Sequence, residues 1–218
     1  MADVAGILER VVLGGDASVL QTLEPEAWSE AQSRAIDEGV AGWLYWQSVC
    51  GRWNVPTEVG AVWQRAYREN AGRNLVALER LSHCLAGWRE AGIEALVLPG
   101  APLLAYYPDL GCRSMVDVDI LVEEGSALAV AAWLRAAGFS SPKRYPDLFI
   151  GDGLVLDIHT DLFHSERIAA RGHVGQMHFE EMGARAVEYD VSGFVLPAPC
   201  AEDALLYCSA HVLSLIHI

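Results

Sequence analysis

The chain has 218 residues, with 15 Lys and Arg against 29 Asp and Glu, for a formal net charge of −14. At 52% hydrophobic and 20% charged, it can bury a core, which excludes a disordered tail, and its length fits one domain, alone or with a helical annex. Its acidity argues against a non-specific grip on nucleic acid, because phosphate binding is driven by Lys and Arg displacing counterions. A small molecule or a protein is the expected partner.

The longest apolar runs, such as Ala127 to Trp133, fall well short of the roughly 18 to 20 residues that span a bilayer, so no membrane partner is expected. The first residues carry Asp3, Glu9 and Arg10 and lack the basic and apolar regions of a signal peptide, which points to the cytoplasm. Five cysteines, odd in number and never in a C-x-x-C pair, fit neither a disulfide framework nor a zinc knuckle and are expected to be reduced and non-catalytic. The last six residues, Leu213 to Ile218, read like a translated transposon end from library preparation. They are expected to be an adapter scar, with the natural chain continuing beyond about Val212; the other reading is an ordinary apolar helix end.

Between Pro25 and Val49 the apolar positions Trp28, Ala31, Ala35, Ile36, Val40, Trp43 and Leu44 recur at helical spacing, and Gly39 and Gly42 predict a break between two shorter helices. A longer pattern starts at Thr57, runs through Val59, Trp63, Leu78 and Trp88, and stops at Gly92, the small residue expected just past a helix end. Residues 1–92 are thus expected to form a helical region with its Trp and Leu in the core. The texture changes at Ile93. Glu94 to Leu98 reads as a short strand, Pro102 to Tyr107 as a turn or two of helix, and Asp117 to Val122 as a second strand. Ser126 to Ala137 reads as an amphipathic helix ending at Gly138, with Ser126 near its N-cap. Gly151-Asp152-Gly153 between apolar runs predicts a hairpin, and Ser192-Gly193 predicts another between 186–189 and 194–196. Residues 93–197 form the α/β core, and a C-terminal helical region starts within 198–212.

Asp117 and Asp119, at i and i+2 at the start of a strand, are expected on one face, where two carboxylates repel unless a divalent cation sits with them. Their hard oxygens suit Mg²⁺, which keeps positions for water and substrate phosphates. Asp157, on the hairpin strand, is the third acid that sheet pairing would bring alongside. Upstream, Gly100 opens a short helix where backbone N–H groups can approach phosphate, and Arg113 supplies a fixed cation for the acids or for a triphosphate.

The segment from Leu96 to Val122 resembles the nucleotidyltransferases of the DNA polymerase β superfamily. Their pattern is a strand, a Lys-Gly turn, a short helix with Tyr-Pro, an Arg, and then Asp-hydrophobic-Asp-hydrophobic-Leu-Val. Leu134 to Phe139 and Leu156 to His159 match as well, and the likeness covers roughly Ile36 to His211. The resemblance implies an α+β fold, with an α/β mixed-sheet nucleotidyltransferase-like core, a helical N-terminal region and a truncated helical C-terminal region. It implies Asp117, Asp119 and Asp157 as ligands of catalytic Mg²⁺, with Asp157 also the candidate base, and Gly100 and Ala101 against the phosphates of an NTP such as ATP. The reaction implied is transfer of NMP from the NTP to an acceptor, small molecule or protein, that the sequence does not name. Two positions depart from the pattern: Pro99 replaces the Lys, and Ala101 the Ser that commonly follows the glycine. Both remove phosphate-binding donors, so the alternative is a non-catalytic module of the same fold that binds a nucleotide or a protein.

Other assignments fit the residues less well. A dehalogenase-type phosphatase places its Asp-x-Asp after an apolar strand, whereas here the apolar run follows the acids. A sugar-nucleotide transferase using Asp-x-Asp on the same metal chemistry stays open. His159 and His164, and His173 and His178, are spaced five apart and not as a helical zinc pair, and read as solvated or core-edge histidines. His159 is the exception, being two residues from Asp157 and on the same face.

Overall fold

The structure is a computed structural model that describes residues 3–12, 14, 19–20, 23–51, 53–162 and 178–216, the last seven for their backbone only. They divide into two compact units: Met1–Leu75 with Tyr107–Met115, and Val76–Tyr106 with Val116–Ile218.

The first unit is helical. It holds α1 (Val4–Val12), α2 (Pro25–Asp37), α3 (Ala41–Gly51) and the first half of α4 (Thr57–Glu90). Pro25 sits in the opening turn of α2, where its missing N–H costs no helical bond. The break expected at Gly39 separates α2 from α3. Val4, Ile7, Leu8 and Val11 recur at helical spacing and bury α1 in one core with Trp28, Ala31, Ala35, Leu44 and Trp63. The 3₁₀ turn Leu110–Cys112 belongs to this unit, and α4 holds its backbone. Asn74 Nδ2 donates to the carbonyls of Leu110 and Arg113, both at 2.8 Å, and Asn70 Nδ2 donates to that of Gly111 at 3.3 Å.

The second unit carries the sheets. The helix α4 ends where Gly92, at φ +74°, adopts a conformation open to glycine, and Ile93 N–H bonds back to the Trp88 carbonyl at 2.8 Å. Four strands follow, β1 (Ala95–Val97), β2 (Val118–Val122), β3 (Leu148–Gly151) and β4 (Leu154–His159), with α5 (Ala127–Ala136) between β2 and β3. Their order is β1-β2-β4-β3; β2 and β4 run parallel and the outer pairs antiparallel. The hairpin turn is as expected, since Asp152 (φ 51°) and Gly153 (φ 79°) take the left-handed pair of values that matches strand twist. The second hairpin, β5 (Val187–Val191) and β6 (Phe194–Ala198), forms a separate two-stranded sheet between α6 (Phe179–Ala184) and α7 (Ala201–Ile216).

The short helix expected after Gly100 is a 3₁₀ segment, Pro102–Tyr106. Two local expectations are corrected. Ser126 makes no side-chain cap bond, because a 3₁₀ turn, Glu124–Ser126, leads into α5 and holds Ser126 in helical backbone. The second strand starts at Val118, which leaves Asp117 one residue outside it.

Candidate active site

Burial on β4 alternates. Leu154, Leu156 and Ile158 are buried, while Val155, Asp157 and His159 are half-buried on the opposite face. On β2 the same alternation buries Val118 and Ile120 and turns Asp119 the other way. The parallel register then sets Asp119 beside Asp157 and Leu121 beside His159. Two carboxylates far apart in the chain thus meet on one sheet face, each on a strand paired on both sides.

His159 Nε2 lies 2.9 Å from Asp119 Oδ1 and donates to it when protonated there; it is 3.7 Å from Asp157 Oδ2. One ligand atom each from Asp119, Asp157 and His159 falls within 4.8 Å of the others. Burial pushes the Asp157 carboxyl above its ordinary range; the charges of Asp119, Asp117 and Asp147 add to this, and His159 opposes it. For His159, burial works against protonation, but the hydrogen bond it donates to Asp119 and the charges of Asp157, Asp119 and Asp147 outweigh it and raise its proton affinity. A carboxyl resisting ionisation among other acids is short of positive charge. The two convergent carboxylates, with His159 beside them, therefore fit a divalent cation, since they are the hard ligands that Mg²⁺ takes.

The remaining expected site residues have distinct surroundings. Asp117 is exposed, and although its carboxylate is not among the three convergent groups, its charge acts on Asp157. Gly100 lies in the bend after β1, where a Cβ would meet nothing closer than the Leu98 carbonyl at 3.9 Å, so its backbone is open to close approach. Ala101 is fully buried and presents no group to a ligand. Arg113 belongs to the first unit, where its guanidinium stands over the Tyr107 ring at 6.0 Å. His164 and His173 lie outside the described residues.

Tyr207 went unread in the sequence. This residue of α7 is buried with Leu96, Leu98, Leu121, Leu162 and Met182. Leu121 follows Asp119 by two on β2, so this cluster continues the sheet face that bears the acids. Burial and then the charges of Asp119, Cys208, Asp157 and Asp117 hold the phenol protonated far above neutral pH. No motif marks it, since a lone tyrosine in an apolar helix looks like core. The five cysteines are free. Burial pushes the thiols of Cys84 and Cys112 up to about 11 and about 12, which makes them poor nucleophiles.

No helix among the described residues is long and apolar enough to cross a membrane. A family model described as an uncharacterised nucleotidyltransferase matches residues 24–216. No curated protein and no solved structure matches the chain.

Proposed function

The chain belongs to the uncharacterised nucleotidyltransferase family, and from that premise we propose that it is a Mg²⁺-dependent, cytoplasmic enzyme moving NMP from an NTP to a small-molecule or protein acceptor. The observation that carries this reading is the register of Asp119 against Asp157, which gathers their carboxylates and His159 within 4.8 Å.

Asp119 and Asp157, with Asp117 beside them, would hold Mg²⁺. When bound, the cation neutralises charge on the phosphates as the transfer proceeds. The chain's residues then have separate tasks. Asp157, whose proton affinity is raised, accepts the proton of the acceptor hydroxyl as its oxygen bonds to the α-phosphorus. The bond from that phosphorus to the bridging oxygen breaks in line, and pyrophosphate leaves. His159 orients the Asp119 carboxylate through its 2.9 Å contact. The backbone at Gly100 lies against the phosphates.

One observation favours the second reading, a nucleotide- or protein-binding module without catalysis: Pro99 and the buried Ala101 supply neither the lysine nor the hydroxyl that would grip phosphate. Calorimetric titration of ATP, GTP, CTP and UTP, each with and without Mg²⁺, separates the two. Mg²⁺-dependent binding that disappears in Asp119→Asn supports the enzyme and identifies its donor nucleotide. Absence of binding at millimolar NTP favours the module, in its protein-binding form.

A further inference from the structure

The face of α4 that bears Ala66, Glu69, Asn70 and Arg73, at helical spacing i, i+3, i+4 and i+7, lines a cavity of about 250 Å³ within the first unit. Small residues, Gly39, Ala41 and Gly42, line its other side. At Gly42 a Cβ would collide with the Gly111 carbonyl, so α3 and the 3₁₀ turn meet there only because the side chain is absent. Ser114 adds a hydroxyl to the lining.

The charges in this cavity stand apart from each other. Glu69 and Arg73 have the i, i+4 order with the acid first, the favoured arrangement for an ion pair on a helix. Glu30 and Arg34 have the same spacing on α2 and do pair, at 2.9 Å. Among the described residues no ion pair joins Glu69 to Arg73; the Arg73 guanidinium instead donates to Asn70 Oδ1 at 3.3 Å. Asn70, buried and anchored to the Gly111 carbonyl at 3.3 Å, holds that guanidinium toward the cavity side of the helix. The result is one cation tethered to Asn70, one separate carboxylate and a hydroxyl on the lining of a small space.

We propose that this cavity binds a small zwitterion of the α-amino-acid class, its carboxylate on Arg73 and its ammonium on Glu69. The proposal goes beyond the nucleotidyl-transfer reading and does not rest on the acid cluster of the second unit. Calorimetric titration of L-alanine into the full chain tests it, with acetate and ethylammonium as probes carrying one charge each. The expected result is saturable binding of L-alanine at millimolar concentration, with each half-ligand weaker by about tenfold or more, as loss of one charge-assisted hydrogen bond implies. Arg73→Gln and Glu69→Gln, both at exposed positions, should each weaken L-alanine by about tenfold without changing Tm. Ala66→Leu, which fills the space, should remove binding. No binding of L-alanine, acetate bound as tightly as L-alanine, or charge variants that bind like the parent chain would each overturn the proposal.

Discussion

Asp203, buried, and Asp157, half-buried, lie in the same unit, yet their charges are balanced in different ways. Asp203, in the first turn of α7 and 4% exposed, accepts from two of the three guanidinium nitrogens of Arg185, Nη2 at 2.9 and 3.0 Å and Nε at 3.2 Å. That cation is permanent and its geometry is a fork closed on a carboxylate. Asp157 has Asp119 beside it, Asp117 and Asp147 acting on it, and a histidine at 3.7 Å as its compensating charge. A histidine can give up its proton, which a guanidinium does not. An acid that serves the fold is thus tied to a charge that cannot leave, while the acids of the β2–β4 face are held for a charge that can arrive and depart.

The sharpest way to break this contrast is to neutralise each acid in turn. Asp119→Asn and Asp157→Asn should each lower nucleotidyl transfer by about 10²- to 10³-fold or more, measured as pyrophosphate release once the donor nucleotide is known. Asp203→Asn should leave transfer within a few-fold of the parent. Stability should move the opposite way. Arg185→Gln leaves the Asp203 carboxylate buried without its partner and should lower Tm clearly. The folded pKa of Asp157 is raised, so its ionisation costs stability as pH rises, and Asp157→Asn in metal-free buffer at neutral pH should raise Tm. A fall in Tm for Asp157→Asn would mean that its charge is already compensated and would erase the distinction.

A smaller effect should come from the cation. Mg²⁺ at tenfold over its dissociation constant should stabilise the parent chain by about 1.4 kcal/mol and leave both Asn variants unmoved, as read by thermal unfolding. The smallest concerns His159. Its folded pKa is raised, so its contribution is fully present below the unfolded value near 6.5 and is lost as pH rises through the folded value. In denaturant titrations of the metal-free chain, His159→Gln should therefore destabilise more in mildly acidic than in mildly alkaline buffer. An equal deficit across that range would show that the imidazole acts by packing and not by charge.

Much of this arrangement is legible in the chain because it is written in local periods. The stop at Gly92, the break at Gly39 and the turn at Asp152-Gly153 each follow from backbone conformations that few residues accept. The two-residue alternation of Leu156, Asp157 and Ile158 even assigns the acid to the face away from the core. What the periods do not carry is pairing between distant segments. That β2 and β4 are parallel neighbours, and that Asp119 therefore meets Asp157 and His159 while Asp117 stays outside the strand, depends on a crossover through α5 and β3. Asn70 and Asn74 look like ordinary polar positions in a helical stripe, because the carbonyls they hold lie at Leu110, Gly111 and Arg113. Tyr207 and the Arg185–Asp203 pair are hidden for the same reason.

The most direct test of the acid cluster is a Mn²⁺ titration of the full chain followed by electron paramagnetic resonance, with Mg²⁺ as competitor. The account predicts saturable Mn²⁺ binding that Mg²⁺ displaces, weakened strongly in both Asp119→Asn and Asp157→Asn and unchanged in Asp203→Asn. Mn²⁺ bound equally by the parent chain and by both site variants would contradict it.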